Sequence, residues 1–121
     1  LGGFIMASGL SKIEIITSFT KFTELQSELG HIGVRGMTVS QVLGCGIQKG
    51  SAEYAVEENE EIVLLPKQQI TLVVETSKVH DIVEAVKQIL YTGHIGDGKI
   101  FVYSLDNVIK VRTGDEGIDA L

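Results

Sequence analysis

A single cysteine, Cys45, and a single proline, Pro66, occur in 121 residues. One thiol can close no internal disulfide and build no cysteine-based metal site, so the chain reads as a protein of a reducing compartment, the cytoplasm. Basic residues are scarce as well: 10 Lys and Arg against 16 Asp and Glu give a formal charge of −6. That balance excludes a general nucleic-acid binder, whose electrostatic footprint is a basic stripe. No apolar run approaches the roughly 20 residues that span a bilayer. The apolar, Gly-rich stretch Leu1–Leu10 lacks the early positive charge and the cleavage pattern of a secretory leader. Residues 1–11 therefore read as an N-terminal extension, with Met6 the expected native start and residues 1–5 foreign to it. What remains is 44% hydrophobic with 14 Gly, which is the composition of a globular chain, and its length fits one domain.

Hydrophobic periodicity orders the chain. Ile13 and Ile15 share one face of a strand in "KIEIIT", and Phe22, Leu25, Leu29 and Ile32 mark an amphipathic helix that ends near Gly30 and Gly33. Residues 34–46 read as a strand that frays at its end. Residues 47–61 have no stable period, carry four glutamates within five positions, Glu57, Glu58, Glu60 and Glu61, and read as a long solvated loop. Residues 62–76 return to strand, with Pro66 at a bend or an edge position. Ser77 is the expected cap of a second helix whose buried stripe is Val79, Ile82, Val83, Val86, Ile89 and Leu90, with Gly93 just past its end. "KIFVYSL" is a strand, "NVIKVRTG" a short extended piece and "DEGIDAL" a loosely held tail.

The sum is β-α-β-β-α-β, an α+β chain of ferredoxin-like arrangement. Two helices cover only one face of a four-stranded sheet. Val73, Phe101, Tyr103 and Leu105 fall on the other face, which predicts an exposed apolar patch buried in a closed homo-oligomer.

"TGHIGDGKI", residues 92–100, imitates a P-loop. Gly93, Gly98 and Lys99 fit the spacing, but Ile100 stands where a magnesium-binding hydroxyl belongs. The order of elements is also reversed: a helix precedes the glycines, so its dipole turns the negative end toward any phosphate. The hydrolase reading fails on both counts. Two readings of the residues themselves stay open. Gly96 and Gly98 permit a nest of amides with Lys99 beside it, and Lys110 and Arg112, two apart in an extended segment, would join it from one face. Alternatively the glycines merely turn the chain and the cations face solvent.

Four stretches in register, "GMTVSQVLGCGIQKG", "LPK", "TGHIGDGKIFV" and "VIKVRTG", together resemble the PII signal-transduction family, from about Lys12 to Leu121. The resemblance implies one domain over 12–121, a homotrimer, and ATP or ADP in clefts between neighbouring subunits. It implies that Gly96, Asp97, Gly98 and Lys99 (the B-loop, 92–99) hold phosphates, and that Lys110 and Arg112 of the C-terminal segment 107–121 stand for a pair of arginines. Thr38, Gly46 and Val73 would contact the adenosine, with Ile47 and Gln48 beside the phosphates. Gln48 would ligate Mg with ATP and 2-oxoglutarate, and Gln48, Lys49, Gly50 and Lys67 would surround the 2-oxoglutarate. The long loop, residues 46–66, corresponds to the T-loop that docks on a target, a membrane transporter or a nitrogen-metabolism enzyme.

Departures from the family pattern carry information. Ile47 replaces an arginine near the phosphates, Lys110 replaces a forked donor, and Cys45 replaces an aromatic next to the base. The modified tyrosine and serine of some relatives fall at Glu60 and Glu58, which excludes covalent control there, and the acidic tip favours a basic partner surface. The expected function is a nucleotide-sensing regulator, not an enzyme. The alternatives are an adenylate energy sensor indifferent to 2-oxoglutarate, a slow phosphohydrolase and a structural trimer that only tethers partners. His31 and His80 read as solvated, and His94 lies near the cradle.

Overall fold

A computed structural model describes residues 9–18, 21–48 and 61–121, with the side chains of 46–48 and 61–62 outside that description. Residues 1–8 of the expected extension 1–11, the loop residues Lys49 and Gly50, and Glu57, Glu58 and Glu60 lie outside the described residues, whereas Leu10 and Ser11 are buried in the first strand and so belong to the domain.

Strand β1 (Leu10–Thr17) is followed by helix α1 (Phe22–Ile32), strands β2 (Thr38–Gln48) and β3 (Glu61–Glu75), helix α2 (Val79–Leu90) and strand β4 (Lys99–Leu105). The sheet order is β2-β3-β1-β4 and every neighbouring pair is antiparallel. This is the ferredoxin-like arrangement that the periodicity predicts. Alternation along β1 decides which face is dry. Ile13 and Ile15 point to the helices, meet Leu72 and Ile70 of β3, and are fully buried with Leu25 and Leu29 of α1 and Ile82 and Val86 of α2. Each such side chain contributes roughly 1.5–3 kcal/mol through burial.

Four local readings change. Residues 34–37 connect rather than pair, and β2 begins only at Thr38. Ser77 does not cap α2; it sits inside a 3₁₀ turn, Thr76–Lys78, that leads into the helix without a side-chain cap. The segment after β4 is a closed turn rather than an extended piece. Residues 115–121 are docked rather than loose, with Ala120 buried in a 3₁₀ turn, Gly117–Ala120.

Two features place the site. The pairing of β1 with β3 stops at Thr17 and Gln68, but β2 and β3 stay paired out to Gln48 and Glu61. A two-stranded ribbon of roughly 20 Å therefore projects past the sheet. Pro66 lies on it where β3 has a partner on one side only, the edge position its missing N–H requires. The second face of the sheet is mixed rather than apolar. Phe101 and Tyr103 are about two-fifths exposed there, beside Lys12 and Glu14. The Glu14 carboxylate accepts from Gln69 Nε2 at 2.9 Å and from the Tyr103 hydroxyl at 3.2 Å. Partial desolvation, then the bond to Glu14, raises the Tyr103 phenol above its usual range.

Candidate functional site

The chain leaves α2 through an extended Tyr91 and reaches β4 by a loop closed on one carboxylate. Asp97 Oδ2 accepts from the backbone N–H groups of Thr92 at 2.8 Å and Gly93 at 2.9 Å, while Oδ1 accepts the Thr92 hydroxyl. These bonds, the Thr92 hydroxyl first, hold the Asp97 carboxyl below its ordinary value of 3.8. A group with a depressed folded pKa contributes stability above its unfolded value and loses it as pH falls through the folded one. Asp97→Asn offers a single oxygen for three donors. It is expected to lower the melting temperature at pH 7, and the difference from wild type is expected to close below about pH 4, as a series of thermal melts across pH would show.

The same loop is pressed onto β1. Gly96 O accepts from Ser18 N at 3.1 Å, and Gly98, at φ 104°, lies so close that an added Cβ would stand 2.1 Å from Ile16 O. Only glycine fits there, for two independent reasons: the dihedral and the backbone contact. Gly96, at φ 108°, also needs a left-handed conformation.

A cavity of about 450 Å³ opens beside this loop, lined by Gly96, Asp97, Gly98, Lys99, Lys67 and His94 among others. The structure thus brings four residues of the predicted phosphate cradle together with the lysine predicted to meet a dicarboxylate. His94 stands at the same cavity. Lys67 is held in place by two neighbours that the sequence does not advertise. Its stem lies over Gly44, whose missing Cβ would fall 2.3 Å from Lys67 Cε, and its ammonium donates to Ser18 Oγ at 3.0 Å. On the helical side of the loop, a second cavity of about 510 Å³ lies between the last turns of α2 and Gly98–Ile100.

The remaining predicted residues sit elsewhere. Thr38 and Val73 line a cavity of about 680 Å³ with Arg35, Lys78, Val108 and Ile118. Val73 pairs with Lys12, whereas Lys99 pairs with Ile16, so the two groups stand roughly 13 Å apart along β1. Lys110 and Arg112 are farther still, because β4 carries the chain roughly 20 Å away from Lys99 before their turn begins. That turn closes on itself. Lys110 N donates to Asp115 O at 2.8 Å, Gly114 N donates to Lys110 O at 2.7 Å, and Asn107 bridges to Glu116 and Gly117. The segment therefore does not lie extended with two cations on one face, and three cations do not converge within one chain.

Gly46, Ile47 and Gln48 pair with Val63, Ile62 and Glu61 at the outer end of the ribbon. Gln48 is six strand positions from Val42, the partner of Lys67, which is roughly 20 Å of ribbon. The predicted 2-oxoglutarate set is not assembled by the described residues. Among the described residues no group of three or more His, Cys, Asp and Glu is placed to hold a metal ion. No helix among the described residues is long and apolar enough to cross a membrane.

Comparison with known proteins follows the same lines. The sequence model of the family described as nitrogen regulatory protein P-II matches residues 10–115. A nitrogen regulatory PII-like protein of Bacillus subtilis (strain 168) is 42% identical over 116 residues, covering 96% of this chain and 100% of its own. A nitrogen regulatory protein P-II of Rhodospirillum rubrum is 42% identical over 112 residues, covering 93% and 100%. Among solved structures, the B. subtilis GlnK–ATP complex superimposes with a TM-score of 0.81 at 41% identity, covering 96% of this chain and 99% of that one. Arabidopsis thaliana PII bound to citrate superimposes with a TM-score of 0.73 at 33% identity, covering 93% and 92%.

Proposed function

We propose, from the premise that this chain belongs to the nitrogen regulatory protein P-II family, that it is a trimeric regulator binding ATP or ADP in clefts between its subunits. One subunit supplies the glycine loop with Lys99 and Lys67. Its neighbour supplies Thr38, Val73, Lys110 and Arg112. The observation that carries this reading is the division of the predicted site into two groups set well apart on one chain. A nucleotide that contacts both groups needs a second copy.

Chemistry suits the assignment. Lys99 and Lys67 at one cavity attract an anion, and amides of a glycine loop can approach it closely. ATP in the B. subtilis GlnK complex and citrate in the Arabidopsis PII complex are anions of this kind. Magnesium fits as a companion of the phosphates, with Gln48 offering one neutral oxygen to a hard cation that ligand and water otherwise coordinate. Gln48 reaches that cation only when the outer ribbon bends back toward Lys67. A ligand that favours the bent form shifts the ribbon and the T-loop, residues 46–66, by its differential affinity for the two forms. The ribbon exposes Leu43, Leu64 and Leu65, apolar surface suited to a protein target. That target is a membrane transporter or a nitrogen-metabolism enzyme, and the regulator works in the cytoplasm.

Catalysis is not part of this reading. Asp97 is the one carboxylate at the cradle among the described residues, and both of its oxygens are engaged by the loop's own donors. It shapes the turn instead of serving as a base. Titration calorimetry with ATP and Mg, with and without 2-oxoglutarate, tests the proposal. Binding at micromolar concentration with synergy between the two supports a nitrogen sensor, and nucleotide binding without synergy supports an energy sensor, the reading that Ile47 favours. Absence of heat with either nucleotide contradicts both and leaves a tethering scaffold.

A further inference from the structure

The geometry points to Ser18 and Gly44 as positioning residues that fix the Lys67 ammonium over the glycine loop before any ligand arrives, an inference that rests on the anion-binding reading above for its consequence but not for its geometry. Ser18 is a junction. Its N–H donates to Gly96 O at 3.1 Å, which fastens the end of β1 to the glycine loop. Its hydroxyl accepts from Lys67 Nζ at 3.0 Å, which fastens the root of the ribbon to the same point. The bond forms one residue beyond the last pairing of β1 with β3, where β2 is the only strand still paired with β3.

Gly44 completes the device from the other strand. It faces the Lys67 stem, and any side chain there would overlap Lys67 Cδ and Cε at 2.6 and 2.3 Å. The backbone of Gly44 is not in the left-handed region, so conformation does not demand glycine here. Room for Lys67 does. A lysine carries large rotamer entropy, and fixing its head in advance removes much of that cost from ligand binding. The ammonium has three donors, of which Ser18 takes one, so two stay available to an anion in the cavity. Lys67 therefore binds without abandoning Ser18.

Two measurements separate this inference from the function it serves. Competitive lysine acylation read by mass spectrometry reports on Lys67 directly, with Lys87 and Lys12 as internal references. An ammonium tethered to Ser18 Oγ is less free to swing out to the reagent, so Ser18→Ala is expected to speed Lys67 labelling about two- to fivefold, and Ser18→Thr to restore the wild-type rate. Gly44→Ala is expected to speed it as well, because the flexible stem yields before the strand does. Calorimetry then follows ATP with Mg and saturating 2-oxoglutarate, where Ser18→Ala and Gly44→Ala weaken binding about three- to tenfold and Ser18→Thr binds like wild type. Unchanged Lys67 labelling in both alanine variants overturns the inference whether or not the wild type binds. So does wild-type affinity in both. A wild type that binds nothing, with Lys67 labelling changed as expected, overturns the proposed function and leaves the positioning intact.

Discussion

Gly98→Ala is expected to lower the melting temperature by on the order of 10 °C and to abolish high-affinity nucleotide binding. The added methyl would meet Ile16 O at 2.1 Å, Thr17 Cα at 2.9 Å and Ile16 C at 3.0 Å, all backbone atoms of β1 that cannot rotate aside. The φ of 104° adds its own cost for a residue with a Cβ. Conformational strain of about 1–2 kcal/mol and overpacking of about 1–3 kcal/mol act together unless the loop lifts off β1. Lifting forfeits the Ser18–Gly96 bond and the cradle with it. Gly30→Ala is the control of opposite sign: nothing lies within 4 Å of its added Cβ, and it sits in α1. That change is expected to stabilise by about 0.5–1 kcal/mol. Thermal melts of both variants, with calorimetry, check the pair.

Lys99→Ala is expected to leave the melting temperature near that of wild type and to weaken ATP binding about tenfold to a hundredfold. Lys99 is exposed at the first position of β4, and its fold contribution is the backbone pairing with Ile16, which alanine keeps. Its side chain faces the cavity that also holds Lys67. A charge-assisted bond contributes about 1.5–3 kcal/mol, and Lys99→Arg is expected to recover part of the loss because charge matters more than shape at a mobile phosphate. An affinity for ATP unchanged in Lys99→Ala would remove the glycine loop from the site.

The architecture was legible because its signals are periodic. Leu25 and Leu29 recur with the helix and Ile13 and Ile15 with the strand, and each is buried. The readings that changed depend on partners distant in the sequence. Ser77 has the chemistry of a cap, but the backbone from Glu75 enters a 3₁₀ turn first, so the hydroxyl never reaches a helix N-terminus. Lys110 and Arg112 look extended in "NVIKVRTG", yet Asn107, Asp115 and Glu116 bond across the segment and curl it. The second face was expected to be apolar from Phe101 and Tyr103. Glu14 lies opposite Phe101 and gathers Gln69 and Tyr103 into a polar cluster that only strand register reveals.

At the site, the glycines and Lys99 were visible as a motif, whereas Ser18 and Gly44 were not. A serine after a strand and a glycine within one carry no signal until Lys67 is seen lying across them. The role of Asp97 was half legible: its glycine neighbours suggested a turn, and only the structure supplies Thr92 as the donor that closes it.

Subunit mixing tests most directly whether each binding cleft is shared between copies. Lys99→Ala and Arg112→Ala chains, each expected to bind ATP weakly alone, are unfolded together and refolded. In a cyclic trimer every mixed assembly pairs one intact glycine loop with one intact C-terminal turn, so about a quarter of all clefts are expected to regain wild-type affinity. Calorimetry that finds this tight fraction would establish the shared cleft. A mixture that binds only as weakly as its two parents would place the whole nucleotide site within a single chain.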